Sequence, residues 1–171
     1  MHIREETRER HTLSVIVDNE PGILARIAGL FTARGYNIES LTVTDITEDN
    51  LVSRITIVTT ASPAILEQIV AQLDRLVPVH KVTDLTAFGP HVERELALVK
   101  VAGTGDHRIE ALRLGEVYRA RVIDATTSSF VFEVTGGTDK IDKFVELMRE
   151  VGLIEVARTG IVAISRGKDA H

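Results

Sequence analysis

Apolar residues recur along the chain at two different spacings, and the alternation of these spacings predicts the fold. Residues 11–17 are short and rich in β-branched side chains, which predicts a strand. The following apolar positions are spaced three to four residues apart, which predicts a helix with Pro21 in its first turn and Gly35 just beyond its end. The apolar stripe of this helix consists of Ile23, Leu24, Ile27, Leu30 and Phe31.

The next segments complete a four-strand, two-helix unit. Residues 38–46 and 51–60 are predicted strands joined by a polar hairpin loop. Ser62 and Pro63 are then typical of the cap and first position of a second helix. A fourth strand over residues 77–85 gives the order βαββαβ, which is that of a ferredoxin-like fold.

The same order repeats after the Gly89-Pro90 break. The second set has strands over residues 95–102, 121–126 and 130–135, helices capped by Asp106 and Thr138, and terminal strands over 153–157 and 160–164. The predicted class is therefore α+β, with two ferredoxin-like domains that match in pattern rather than in residue identity. The boundaries are a charged tail at 1–10, a first domain at 11–86, a linker at 87–91 and a second domain at 92–171.

Domain size bears on the oligomeric state. Each half has about 75 residues, and a core of that size contributes only about 3–5 kcal/mol of net stability. The chain contains no cysteine, so disulfides cannot supplement these cores. We therefore expect each sheet to need a partner, with a homodimer as the smallest assembly.

Composition excludes several classes of function. The formal net charge is −5 and aromatic residues make up 4% of the chain, so general binding to nucleic acid or to an anionic membrane is disfavoured. The charged N-terminal residues lack the apolar region of a signal peptide, and no apolar run reaches the length of a membrane span. A cytoplasmic protein is the expectation.

Residues suited to catalysis are scattered. The six histidines show no H-E-x-x-H or other close ligand spacing, and there is no G-x-S-x-G or Walker A sequence. Gly103-Thr104-Gly105 lacks the third glycine of a dinucleotide-binding loop. We expect no catalytic residues and no metal site in this chain.

One loop has the chemistry of a binding site. Residues 18–24 (DNEPGIL) join the first strand to the first helix, and Gly22 would leave helix N–H groups open to a carboxylate. Asn19 could hold an amino group or cap the helix. By spacing alone, the loop is more typical of a plain helix cap, and Asn37 of a simple helix end.

Longer stretches carry a family resemblance. Residues 18–24, together with RGYNIESL at 34–41, resemble the ACT domain of the acetohydroxyacid (acetolactate) synthase small regulatory subunit. HVERELALVKV at 91–101 and EVARTGIVAISRG at 155–167 are similar to later parts of the same family. The resemblance covers roughly residues 10–167.

The resemblance implies a non-catalytic regulatory subunit in branched-chain amino acid biosynthesis. Its partner would be a large catalytic subunit that carries thiamine diphosphate, Mg²⁺ and FAD, leaving no cofactor in this chain. The small subunit would activate that partner and confer feedback inhibition, typically by valine. Its ACT domains would pair as a homodimer, with the amino acid at the interface.

Site residues follow from the resemblance by position. One protomer would contribute Asn19, Gly22, Ile23 and Leu24, and the other Asn37 and Ile38. Backbone N–H groups would take the carboxylate, the two Asn amides would take the ammonium, and Ile and Leu side chains would face the branched group. One methylene group changes the binding free energy of an aliphatic ligand by only about 1–3 kcal/mol. The sequence therefore leaves open which aliphatic amino acid is the effector.

Three other functions are compatible with paired ferredoxin-like domains. A free-standing amino-acid sensor would serve a different enzyme, but the family-like second half disfavours it. A ligand-responsive transcription regulator would need a helix-turn-helix or basic stripe, which the sequence lacks. A small hydrolase would need a positioned anion-binding Arg and water.

Overall fold

The computed structural model describes residues 7–170, which form two compact units. The first comprises residues 7–92 and 161–170, and the second comprises Glu93–Gly160. Residues 1–6, which include most of the predicted charged tail, lie outside the described residues. The strand order and helix placement within each unit confirm the predicted α+β class with two βαββαβ units.

The first unit is a four-stranded antiparallel sheet of order β2-β3-β1-β4. The strands are β1 (Glu9–Asp18), β2 (Ser40–Asp45), β3 (Val52–Ala61) and β4 (Val79–Asp84). β1 and β3 are central and pair over their whole length, from Glu9 opposite Ala61 to Asp18 opposite Val52. β2 and β4 are therefore the edges of the sheet.

Two helices cover one face of this sheet. α1 (Ile23–Ala33) and α2 (Pro63–Asp74) enclose a wholly aliphatic and aromatic core with strand residues that alternate along β1 and β3. The fully enclosed members of this core are Leu13, Val15, Val17, Ile23, Ile27, Phe31, Ile55, Ile57, Ile69 and Leu73.

The helix-free face of the same sheet is also buried, and its side chains are small and hydroxylated. Thr12, Ser14 and Thr56 are all at most 3% exposed. The chain returns to this unit at Ile161, whose backbone N–H donates to Ser40 Oγ at 2.8 Å and whose carbonyl accepts from Thr42 Oγ1 at 2.7 Å. The short strand β9 (Val162–Ser165) continues from this point and contacts β1.

The second unit repeats the arrangement. Its sheet has the order β6-β7-β5-β8, and β5 (His91–Ala102) begins in the first unit. The other elements are α4 (Asp106–Val117), β6 (Arg121–Ala125), β7 (Ser129–Gly136), α5 (Thr138–Val151) and β8 (Leu153–Arg158). Three phenylalanines, Phe130, Phe132 and Phe144, stack edge to face or tilted in its core.

Several predicted element ends are wrong. Pro21 precedes α1 instead of occupying its first turn, because Gly22 stands between them as the N-cap with φ +86°. Asp106 and Thr138 are first helical residues, and the caps are Gly105 and Gly137. Ser62 holds the predicted cap position, but its hydroxyl is buried and makes no capping bond.

Three further features of the structure differ from the sequence prediction. A one-turn helix, α3 (Leu85–Phe88), follows β4 and is capped by the Asp84 carboxylate, which accepts from the backbone N–H groups of Thr86 and Ala87 at 3.1 Å. Residues 161–170 pack with the first unit, whereas the pattern assigned them to the second. β1 also begins at Glu9, two residues inside the predicted tail.

Gly115 shows how closely α4 packs on the second sheet. A Cβ placed there would lie 2.6 Å from Cε1 of the buried Phe132 ring. We expect Gly115→Ala to lower the free energy of unfolding by about 1–3 kcal/mol through overpacking. Gly29→Ala is the control, because nothing lies within 4 Å of its Cβ and it should raise stability by about 0.5–1 kcal/mol. Urea unfolding of both variants measures these free energies. Equal shifts of the two unfolding free energies in the same direction would contradict the overpacking at Gly115.

Urea unfolding can also test the Ser40 and Thr42 hydroxyls, which bond to the backbone of Ile161. In the double variant Ser40→Ala, Thr42→Val, the Ile161 N–H and carbonyl lose both partners in a half-buried setting. We expect a loss of about 2 kcal/mol of unfolding free energy. Thr44→Val is matched, since Thr44 is exposed on the same strand, and should shift stability by less than about 0.5 kcal/mol. Indistinguishable urea midpoints for the two variants would exclude this role of the hydroxyls.

Candidate functional site

Four of the six predicted site residues lie between the end of β1 and the first turn of α1, with Asn19 and Gly22 in the connecting loop and Ile23 and Leu24 as the first two residues of the helix. Gly22, as N-cap, adopts φ +86° and ψ −5°, a left-handed conformation that favours glycine. A Cβ at this position would meet nothing within 4 Å, so the surface above the helix N-terminus is open. Among the described residues, no side chain caps α1.

The first N–H groups of α1 are therefore available to a ligand. Ile23 N–H makes a long, 3.3 Å contact with the Glu20 carbonyl, and the regular helical bonds begin with Arg26 N–H to the Gly22 carbonyl at 3.0 Å. Within the described residues, the N–H groups of Leu24 and Ala25 have no backbone acceptor. Such groups, with the positive end of the helix dipole, suit a carboxylate.

Asn19 fixes the loop against the neighbouring hairpin. Its side-chain Nδ2 donates to the Asn50 carbonyl at 2.9 Å, and its backbone N–H donates to the Leu51 carbonyl at 2.8 Å. The Asn19 amide is thus positioned by the β2–β3 hairpin loop. The sequence predicts a polar hairpin loop at this position and does not reveal its contact with Asn19.

The hairpin loop has its own internal bonds. The Thr47 side chain and then the Leu51 backbone N–H hold the pKa of the Asp49 carboxyl below its usual value. Asn50 adopts the left-handed region with φ +56°. These contacts present the Asn50 carbonyl to Asn19.

Charged neighbours flank the loop on both sides. Asp18 Oδ1 lies 2.6 Å from His80 Nε2 on β4, and Glu20 pairs with Arg26 at 3.5 Å. Each acidic side chain of the loop therefore already has a side-chain partner, the His80 ring for Asp18 and the Arg26 guanidinium for Glu20. Their pairing reduces the repulsion that an approaching carboxylate would meet.

The two hydrophobic residues of the loop differ in accessibility. Leu24 is 40% exposed and can contact an aliphatic ligand. Ile23 is 6% exposed and belongs to the core of the first unit. Its side chain does not face a surface ligand, contrary to the predicted role, and its backbone N–H is the group that it can offer.

Asn37 and Ile38 follow the other end of α1. The helix ends in a Schellman motif, with Gly35 N–H donating to the Thr32 carbonyl and Tyr36 N–H to the Phe31 carbonyl, and Gly35 has φ +68° as predicted. The exposed Asn37 side chain comes next, while its carbonyl accepts from Thr59 Oγ1 at 2.6 Å. Ile38 is half-buried against the core.

The two groups of site residues therefore stand at opposite ends of one helix. α1 has eleven residues, which at about 1.5 Å per residue separates its ends by about 16 Å. An amino acid spans less than half that distance. One chain consequently does not bring Asn19–Leu24 together with Asn37 and Ile38.

A metal site and a membrane-spanning helix find no support in residues 7–170. No group of three or more His, Cys, Asp or Glu residues in that range is arranged to hold a metal ion. None of the helices described there is long and apolar enough to cross a bilayer.

Family comparisons cover both units. Residues 13–81 match the model of the AHAS small subunit-like ACT domain, and residues 94–167 match the model of the small subunit of acetolactate synthase. The chain belongs to the acetolactate synthase small-subunit family. This confirms the predicted resemblance and identifies the N-terminal unit as an ACT domain.

Individual members of the small-subunit family align along nearly the whole chain. The probable acetolactate synthase small subunit of Archaeoglobus fulgidus is 47% identical over 92% of this chain and 98% of its own length. The small subunit of acetolactate synthase isozyme 3 from Escherichia coli is 46% identical over 92% of this chain and 96% of its own. The crystal structure of the Thermotoga maritima small subunit superposes with a TM-score of 0.84 at 37% identity, covering 94% of this chain and 99% of that one.

Proposed function

We propose that this chain is the non-catalytic regulatory subunit of an acetolactate synthase, which activates the large catalytic subunit and makes it sensitive to inhibition by valine. Membership of the small-subunit family implies a large subunit as partner. Thiamine diphosphate, Mg²⁺ and FAD would reside in that large subunit. The position of the predicted effector residues at the two ends of α1 is the observation that supports the regulatory role most directly.

The effector site is proposed to form between two copies of the chain. In a twofold dimer, each copy presents the same surface to the other. If one residue of the first copy contacts a second residue of its partner, the same contact also occurs with the two copies exchanged. Two antiparallel α1 helices would place the N-terminus of each beside the C-terminal end of its partner. Asn19, Gly22 and Leu24 of one protomer would then approach Asn37 and Ile38 of the second.

The edge strand β2 is the proposed element of dimerisation. It follows Asn37 and Ile38 directly and has a neighbour, β3, on one side only among the described strands. Joining β2 to its counterpart would satisfy the exposed backbone groups of an edge. It would also bring the segments before β2 to the interface, where the proposed site requires them.

Each group of the site has a defined role in this proposal. The N–H groups at the start of α1 receive the valine carboxylate, with the helix dipole favouring negative charge there. The oxygens of the Asn19 and Asn37 amides accept from the ammonium. Leu24 and Ile38 contact the isopropyl group, and Ile23 contributes through its backbone.

Reconstitution tests the assignment as a whole. We expect the purified chain to form no acetolactate alone and to raise the turnover of a matching large subunit several-fold. Valine should inhibit the reconstituted enzyme and leave the large subunit alone unaffected. The measurement is acetolactate production with each subunit alone and with both. Acetolactate formed by this chain without the large subunit would exclude the proposal.

Gly22→Asp tests the effector loop. The new carboxylate would stand at the helix N-terminus, about 4 Å from the ligand carboxylate, where two unit charges interact by about 4 kcal/mol at an effective dielectric near 20. Solvent exposure should halve this to about 2 kcal/mol, or a thirtyfold loss of valine affinity. Isothermal calorimetry of the small subunit and valine titration of the reconstituted enzyme measure the change.

Gly22→Ala is the matched control because φ +86° strains any side chain there. Strain alone should lower the free energy of unfolding by about 1–2 kcal/mol in both variants. The charge is present only in Gly22→Asp, so only that variant should lose valine affinity thirtyfold. Equal valine affinities in the two variants would mean that the loop is a helix cap and does not hold the carboxylate.

A further inference from the structure

A second concave surface lies in the first unit, beside α2 and away from the effector loop. It is a groove of about 450 Å³, bounded on one side by α2 and on the other by β1, the end of β4 and α3. We call it the α2 groove, and its lining residues are Glu9, His11, Pro63, Leu66, Glu67, Val70, Ala71, Asp74, Asp84 and Ala87.

The floor of the α2 groove is apolar. One stripe of α2 supplies it, with Pro63, Leu66 and Val70 spaced three to four residues apart, Ala71 beside Val70, and Ala87 of α3 on the far side. The stripe includes Leu66, which is 3% exposed and anchors the helix. An apolar depression of this kind suits aliphatic side chains of a partner.

The rim of the α2 groove is acidic on both sides. Glu67 and Asp74 are exposed on α2, seven residues apart and so on one face of the helix. Glu9 and Asp84 stand opposite them. No lysine or arginine is among the described residues that line the groove.

The wall opposite α2 is held in place by a buried histidine. His11 Nδ1 lies 2.6 Å from Asp84 Oδ2, and its Nε2 lies 3.3 Å from Glu9 Oε2. Because a carboxylate only accepts, Nδ1 carries a proton. Asp84 is fixed further by its bonds to the first N–H groups of α3. Even with a protonated imidazole, four carboxylates leave the groove negative.

We propose that the α2 groove docks a segment of the large catalytic subunit that carries aliphatic side chains flanked by lysine or arginine. This inference rests on the proposed function, because it names the surface through which that partner binds. Charge complementarity is the reason for the choice of occupant. A second copy of this chain is disfavoured, since a molecule of net charge −5 would meet an acidic rim.

The α2 groove is independent of the effector loop. On β1 the groove is lined by Glu9 and His11 near the start of the strand, whereas the effector loop follows Asp18 at the other end, and none of the residues that line the groove belongs to residues 19–24 or 37–38. Variants of the groove rim can therefore be made without touching the residues proposed to bind valine.

Charge reversal on the α2 rim tests the proposal. In Glu67→Lys, Asp74→Lys, we expect the dissociation constant for the large subunit to rise at least about tenfold and its dependence on salt to weaken. The matched control is Glu116→Lys, Glu150→Lys, which makes the same change of charge at exposed positions on α4 and α5. It should change the dissociation constant less than about twofold. Ala71→Phe, which fills the groove without altering charge, should also weaken binding.

Each outcome decides between the alternatives. Valine binding by the isolated small subunit, measured by calorimetry, should be unaltered in both rim and control variants. Large-subunit affinity that is unchanged in the rim variant, or reduced equally in the control, would overturn the groove proposal. So would a loss of oligomeric mass in the rim variant without loss of large-subunit affinity, since a second copy would then be the occupant. A wild-type chain that does not bind the large subunit at all would overturn the proposed function as well.

Discussion

The stiffness of α1 is the constraint on which the arrangement of the candidate site depends. Ile23, Ile27 and Phe31 recur every four residues and are buried in the core, so one whole face of the helix is fixed to the sheet. Its two ends cannot approach each other, and the left-handed residues Gly22 and Gly35 fix how the chain enters and leaves it. Residues 19–24 and 37–38 can therefore act together only if a second chain supplies one of the two sets.

The face of the first unit's sheet that lies opposite α1 and α2 is covered in a different way. Ferredoxin-like units place their helices on one face only, and the other face of this unit is covered instead by residues that arrive from the C-terminal end of the chain. The strands present Ser and Thr there, whose hydroxyls can bond to the backbone of the covering segment, as Ser40 and Thr42 do with Ile161. A purely aliphatic face would leave those backbone groups without partners. The stability of the ACT domain thus depends on a segment far along the chain, since Ile161 lies 121 positions after Ser40, to which its N–H donates.

The parts that could be predicted from the sequence are those decided by local patterns. The strand order, the left-handed Gly35 and most of the α1 stripe follow from periodicity and turn chemistry, and the structure agrees; Leu24, which the predicted stripe included, is 40% exposed. The helix caps at Asp106 and Thr138 were wrong because a preceding glycine, Gly105 or Gly137, could take the cap position equally well. The bond from Asn19 to Asn50 depends on the β1–β3 register, which sets Asp18 opposite Val52, and no local pattern reveals such a register. The return of residues 161–165 is likewise a long-range contact.

The separation of the effector loop from the α2 groove has a thermodynamic consequence. If valine changes the affinity for the large subunit by some factor, the large subunit must change the affinity for valine by the same factor. That reciprocity applies to binding and not to turnover, so a valine effect confined to turnover would leave subunit affinity untouched. β1 connects the two surfaces and is fully paired on both sides over Leu13–Val15, which makes it a poor candidate for a bending element. The dimer interface proposed at β2 and α1 can move as a rigid body, and a ligand held between two protomers acts on that interface directly.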